Sequence, residues 1–257
     1  MGIVNVTPDS FYNKSRYTSD NLLKKVKSFI DEGADIIDIG GFSSRPGAAD
    51  VSESDELKRV IPAIESITNN FPNIPISIDT FRSKVAIEAC NVGACMINDI
   101  SGGDADLKMF ETVADLKVPY VLMHMRGTPK TMSQLTNYDD LLGEIILYFS
   151  EKISKLTSYG VNDIILDPGF GFAKDIEQNY HLLDNLKDLE ILNLPILAGV
   201  SRKSMIYKTL DVSAEDALNG TTVLNTIALI NGAKILRVHD VKQAKETINL
   251  VTFMRSK

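Results

Sequence analysis

Cysteine is scarce in this chain. Only Cys90 and Cys95 occur, too few for a disulfide framework and without metal-ligand spacing. That excludes a disulfide-stapled secreted scaffold and points to a reducing, cytoplasmic setting. No apolar run approaches the roughly 20 residues that span a bilayer, and no signal peptide is visible, so no membrane partner is expected. A basic excess is missing too: 27 Lys and Arg stand against 34 Asp and Glu, a formal charge of −7. A general nucleic-acid binder would more often carry the opposite balance. The three histidines, His124, His181 and His239, form no His-x-His pair, which disfavours a metal-hydrolase site. There is no low-complexity linker and no break in composition, so 1–257 reads as one domain. The opening MGIVNV already reads as a strand, which leaves a natural N-terminal extension to be expected ahead of it.

What is present is a rhythm. Hydrophobic residues make up 44% of the chain, enough for a large core. Short β-branched runs recur at 2–6, 35–39, 76–79, 95–99, 120–123, 163–167, 196–200 and 234–238. Each is bounded by Gly, Pro or polar residues, as strands buried on both faces should be. Amphipathic stretches lie between them. In SDNLLKKVKSFIDEG, Leu22, Leu23, Val26, Phe29 and Ile30 form one stripe, the mark of a helix with one buried face. Strand then helix, eight times over, predicts an α/β fold, the parallel (β/α)8 TIM barrel, and 257 residues suit its usual size of about 250. The alternative, an open doubly wound sheet, is disfavoured by the eight regular units and the lack of a Gly-x-Gly-x-x-Gly loop.

Active sites of such barrels lie at the C-terminal ends of the strands. Those ends carry Asn5, Asp38, Asp79, Asn98, His124 and Asp167, with Lys203 just past the seventh and Arg237 and His239 closing the eighth. Taken singly, each has a structural reading: Asp79 or Thr80 as a helix cap, Asp167 as a turn residue before Pro168, His239 as a histidine satisfied by backbone. Together they read as a catalytic mouth. One group is suited to anions. In AGVSRKSMI, Gly199 permits a tight turn, and Ser201, Arg202, Lys203 and Ser204 open a short helix. Two cations at a helix start are unfavourable by themselves and imply a compensating anion. Arg237 and His239 stand beside that helix, and Asn5 offers a carboxamide oxygen to Mg2+ on a diphosphate. The other group is carboxylate and amide: Asp79, Asn98 and Asp167. An ionised carboxylate accepts two parallel N–H bonds from a planar amidine edge. Met123 and Phe172 supply apolar walls. The expected ligand is a flat nitrogen-rich heterocycle on a phosphate-bearing arm, guanine and pterin serving equally.

The motifs along the chain resemble those of the dihydropteroate synthases, nearly end to end. MGIVNVTPDSF (1–11), DIGGFSSRPGA (38–48), SIDT (77–80), IND (97–99), MHMRGTP (123–129), DPGFGF (167–172), GVSRKS (199–204) and RVHDV (237–241) follow in the family's order. The resemblance implies joining of 6-hydroxymethyl-7,8-dihydropterin diphosphate to 4-aminobenzoate, with release of diphosphate. It implies that Asp79, Asn98, Met123, Asp167, Phe172, Gly199, Lys203 and Arg237 hold the pterin. Asn5, Ser44, Arg45, Arg237 and His239 would hold the diphosphate, Asn5 ligating its Mg2+. Phe11, Arg45, Pro46, Phe172, Ser201, Lys203 and Ser204 would shape the aminobenzoate site. Asp79, Asp167, Lys203, Arg237 and His239 would carry the catalysis, within a homodimer. The chain departs from the family in two loops. SFYNKSRYT lacks the usual Asp-Gly-Gly, and Phe42 and Ser44 replace an acid and a threonine. Two rival readings remain, a pterin-binding methyltransferase domain and a non-catalytic homologue. Dependence on a diphosphate leaving group separates them.

Overall fold

A computed structural model describes residues 1–6, 19–42 and 51–256 of the chain. Its eight strands are β1 (Gly2–Asn5), β2 (Ile37–Gly40), β3 (Ile76–Asp79), β4 (Met96–Asp99), β5 (Tyr120–Met123), β6 (Ile164–Asp167), β7 (Ile196–Ala198) and β8 (Ala233–Leu236). They form one sheet in sequence order, every neighbouring pair parallel. Each predicted run contains its strand or overlaps it, with ends shifted by at most two residues. The first strand also meets the segment that follows β8. Ile3 N–H donates to Val238 O at 2.9 Å and Val238 N–H to Met1 O at 2.9 Å, and Gly2 pairs with Val238 in a parallel bridge.

The helices are α1 (Ser19–Asp31), α2 (Glu53–Asn70), α3 (Ser83–Asn91), α4 (Met109–Leu116), α5 (Leu141–Ser158), α6 (Ile176–Asp184), α7 (Ser204–Leu210), α8 (Leu218–Ile230) and α9 (Val241–Arg255). Several begin where the sequence supplies an acceptor for orphan N–H groups. Ser52 caps α2, Asp140 caps α5, and Asp175 with Gln178 forms a reciprocal capping box at α6. In α1 the predicted stripe divides: Leu22, Val26 and Phe29 are buried, while Leu23 and Ile30 lie at its edges. None of the described helices is long and apolar enough to cross a membrane.

Side chains alternate across each strand, so one face serves the helices and the other the interior of the sheet. Ile37, Ile39, Ile76, Ile78, Ile97, Tyr120, Leu122, Ile164 and Leu166 join the large helix-facing core. Met1, Met96, Val121, Ile165 and Leu197 form a separate cluster, with Ile36 and Ile235 against it. This second cluster is the apolar floor of the interior. Two residues further along the same strands, the same face carries Asp38, Asn98, Met123, Asp167 and Arg237. The step from floor to polar mouth is thus built into the period of two.

Candidate active site

Arg237 is the hub of the mouth. Its Nε donates to Asp38 Oδ2 at 2.7 Å and its Nη2 to Asp79 Oδ2 at 2.6 Å. Asp38 Oδ2 also accepts from Asn98 Nδ2 at 3.1 Å. Burial pulls the guanidinium down, but Asp38 and Asp79 together outweigh it, and Arg237 titrates above its ordinary range. Burial raises Asp79 above the usual carboxylate range, against Arg237, with Asp38 adding to the rise. Arg237 was expected on a diphosphate and on the pterin face; here it neutralises two carboxylates at the mouth. Its companion His239 takes a different partner: Nδ1 lies 3.0 Å from Ser201 Oγ, which also accepts the His239 N–H at 3.2 Å.

Across the mouth, Asp167 Oδ1 accepts the Gly169 N–H at 2.8 Å. The turn reading of this residue therefore holds, and it coexists with a second role, because Oδ2 faces Gly199. A Cβ built on Gly199 would stand 4.0 Å from Asp167 Oδ2, 3.9 Å from Lys203 Nζ and 4.0 Å from Arg237 Cβ. The glycine thus keeps open a cradle between a carboxylate, an ammonium and the base of the Arg237 side chain. Burial raises the Asp167 pKa, opposed by Lys203, the Gly169 N–H, Arg237 and Lys174. Burial lowers Lys203 to about 8, with Asp167 resisting. The Lys203 ammonium donates to Phe170 O and sits 4.7 Å above the Phe172 ring, within cation–π range. Phe172 and Phe81 pack on an apolar wall of Ile100, Met123, Met125, Met132 and Ala173.

The floor of this cradle holds buried oxygens without partners. Asp38 Oδ1, Asn98 Oδ1 and Ser77 Oγ lack a hydrogen bond. Most buried polar groups in proteins are paired, so unpaired acceptors here suit a ligand rich in N–H donors. Asn5 stands close by: a Cβ on Gly40 would be 3.3 Å from Asn5 Oδ1 and 3.6 Å from Asp79 Oδ2. One carboxamide oxygen, with phosphate oxygens and water completing the shell, fits a Mg2+ ion. Among the described residues no group of three His, Cys, Asp or Glu would hold a metal unaided.

Several sequence expectations change. Arg202 needs no external anion. It forms a two-bond pair with Asp240, 2.8 Å at Nε and 2.8 Å at Nη2, and reaches the Ala214 and Glu215 carbonyls. Its counterion is Asp240, 38 residues away in the chain. Helix α7, which begins at Ser204, has only seven residues, so the dipole at its start is weak. His124 is as buried as Asn98, but its contacts set it apart from the mouth groups: its ring packs against Tyr148 and Phe149 and its Nδ1 meets Lys174. Neither Asp79 nor Thr80 caps α3, since Arg82 holds that position without a side-chain bond and Thr80 donates to Glu56 at 2.7 Å. Phe11, Ser44, Arg45 and Pro46 lie outside the described residues. Phe42, by contrast, is described and meets Phe81 edge-on at 5.2 Å.

Two residues escaped the sequence reading. Asp38 was noted at a strand end but given no role, although an acid set within the apolar run IIDI (36–39) is itself a signal. Lys174, buried behind the Asp167 turn, gave no signal, because lysines are seldom buried.

Comparison with known proteins gives the family. A family model described as pterin binding enzyme matches residues 1–239. The dihydropteroate synthase of Escherichia coli K12 is 44% identical over 254 residues, covering 98% of this chain and 89% of that protein. The crystal structure of Yersinia pestis dihydropteroate synthase in a sulfonamide drug complex superposes with a TM-score of 0.94 at 41% identity, covering 100% of this chain and 94% of that one. The Xanthomonas albilineans dihydropteroate synthase with 4-aminobenzoic acid gives 0.89 at 38% identity, covering 99% and 91%. The chain belongs to the dihydropteroate synthase family of pterin-binding enzymes.

Proposed function

We propose that the chain joins 6-hydroxymethyl-7,8-dihydropterin diphosphate to 4-aminobenzoate, releasing diphosphate and forming 7,8-dihydropteroate for folate synthesis, by a dissociative displacement at the pterin methylene. The observation that carries the reading is the cradle around Gly199, floored by unpaired buried acceptors. The proposed scaffold is one domain, a closed (β/α)8 barrel, supported by the hydrogen bonds between the Val238 segment and β1.

In this reading Asp167 accepts the amidine edge of the pterin and Asn98 offers its carboxamide oxygen. Lys203 donates to the ring, and Met123, Gly199 and Phe172 bound its faces. As the C–O bond to diphosphate breaks, positive charge grows on the ring and methylene, and Asp79 and Asp167 are placed to stabilise it. Arg237 and His239 face the growing negative charge of the leaving group, and Arg237 exchanges its carboxylate partners for ligand as the site fills. The amine of 4-aminobenzoate then attacks the methylene carbon, forms the C–N bond and releases a proton. No side-chain nucleophile takes part. Phe11, Arg45, Pro46, Ser201 and Ser204 are proposed for the aminobenzoate site, and Ser44 and Arg45 for the diphosphate. Asn5 would hold Mg2+, which supplies charge neutralisation on the diphosphate oxygens.

Diphosphate release measured with and without 4-aminobenzoate tests the reading. Release coupled to dihydropteroate formation supports it; pterin binding without product would favour the non-catalytic homologue. Asn5→Ala is expected to raise the Mg2+ concentration for half-maximal rate, read from a metal titration. An unchanged titration would remove Asn5 from the metal site.

We also propose a cytoplasmic homodimer. Leu250, Phe253 and Met254 on α9, with Val223 and Ile230 on α8, are exposed apolar residues of two helices that pack together. Leu224 and Leu229, in contrast, are buried in the core. Large apolar residues exposed on two neighbouring helices support an interface there. Sedimentation should give twice the chain mass, and Phe253→Glu should shift it towards monomer.

A further inference from the structure

We propose that Lys174 is a positioning residue for the pterin site: with His124 it clamps the turn after β6 that presents Asp167, Phe170 and Phe172. The proposal rests on the functional reading above. A lysine ammonium has three donors, and here each finds an acceptor. Nζ lies 3.0 Å from His124 Nδ1 and donates to Gly169 O at 3.2 Å and Phe172 O at 3.1 Å. The protonated lysine only donates, so in that state His124 Nδ1 accepts and the imidazole proton sits on Nε2. Burial first, then Lys174 and Arg126, pushes His124 down to about 2, so it stays neutral. A metal-ligand or acid–base role for this histidine has no opening.

The turn that Lys174 holds belongs to the mouth. Gly169 donates its N–H to Asp167. The Phe170 carbonyl receives Lys203, and the Phe172 ring lies beneath that ammonium. Lys174 grips the carbonyls of Gly169 and Phe172, on either side of the Phe170–Gly171 pair. Further bonds tie this turn to the loop after β5. Tyr138 OH donates to Ala173 O at 2.8 Å, Gln178 Nε2 donates to Thr136 O at 2.6 Å, and Arg126 lies 3.7 Å over the Tyr138 ring. Gly169 has φ +72°, and a Cβ there would overlap the His124 carbonyl oxygen. The two loops therefore meet backbone to backbone, and Lys174 fills the seam. This gives the MHMRGTP segment a purpose that substrate contact does not.

Charge follows from the same placement. Asp167 is faced by Lys203 from the loop after β7, by Arg237 from the end of β8 and by Lys174 from its own loop. Lys174 is faced by Asp167 and Lys203, and by Arg126 and neutral His124 from the β5 side. Burial lowers Lys174 to about 7, with Asp167 resisting. Removing this cation leaves Asp167 with less positive charge, so its pKa rises further. The acid limb of kcat/KM for the pterin diphosphate must then move to higher pH.

The test compares Lys174→Met, Lys174→Gln, His124→Leu and His124→Gln with wild type, each confirmed folded by circular dichroism. In both Lys174 variants KM for the pterin diphosphate is expected to rise about 10-fold or more, the loss of one charged hydrogen-bond set, with kcat little changed. Their acid limb should also move up. His124→Leu should raise KM without moving the limb, because the charge stays, and His124→Gln, which still offers an oxygen, should restore KM. An unmoved limb and an unchanged KM in folded Lys174 variants would overturn the proposal. Should neither Lys174 variant fold, an unchanged KM in His124→Leu overturns the clamp and the expected rise supports it. Absence of turnover in wild type would instead sink the functional reading itself.

Discussion

Arg237→Met is expected to destabilise the fold by roughly 3–5 kcal/mol, the usual consequence of removing one partner from a buried charge cluster. Asp38 is fully buried and Asp79 largely so, and both lose their counter-charge together. The loss should depend on pH. Burial already raises Asp79 above its unfolded value, against Arg237. Without the guanidinium its folded pKa climbs further. A raised acid pKa means that the folded state holds the proton more tightly than the unfolded one. The variant should therefore match wild type most closely in acid, where Asp79 is protonated in both, and fall behind as pH rises past about 7, where wild-type Asp79 ionises and the variant's does not. Thermal melts at pH 5 and pH 8 read this directly: the gap in Tm should widen at pH 8. The same substitution removes the group proposed to meet the leaving diphosphate, and kcat/KM should fall about 100-fold or more. Equal melting at both pH values would show that Asp38 and Asp79 do not depend on Arg237.

Much of the fold was legible in the sequence, for a physical reason. Strands buried on both faces are short β-branched runs between breakers, and eight such runs stand out; only their ends shifted. Strand alternation also made the mouth legible, because Asp79, Asn98 and Asp167 break apolar runs at one end. Partnerships were another matter. Arg237 and Asp38 are 199 residues apart, and sequence patterns carry no information about which carboxylate a guanidinium will choose. Arg202 was misread for the same reason: its counterion follows β8, outside the window in which the helix start was judged. Lys174 was invisible because a buried ammonium is decided by three acceptors from two loops. The family departures at Ser44 and in residues 12–16 lie outside the described residues, and Phe42 alone among them has a described environment, against Phe81.

Asp167→Asn should weaken pterin binding by about 100- to 1000-fold, roughly 3–4 kcal/mol, within the range that follows truncation of a buried charged partner. The change is nearly isosteric. The amide oxygen can still accept the Gly169 N–H, so the turn should survive and the loss should reflect charge and the lost second acceptor. A pH profile separates this from a general disturbance. Burial lowers Lys203 to about 8, and Asp167 is the main group resisting that fall. In wild type, kcat/KM for the pterin diphosphate should decline as pH rises past about 8, where the free enzyme's lysine loses its proton. An opposite charge favours the charged form. Removing Asp167 therefore lowers the Lys203 pKa further, and the alkaline limb must move to lower pH. Binding followed by pterin fluorescence across pH 6–9, on folded variant and wild type, measures both effects. If the variant kept wild-type affinity with an unmoved limb, Asp167 would be a turn residue only, and the ring would have to be held by other acceptors, of which Asp38 and Asn98 each have an unpaired buried oxygen.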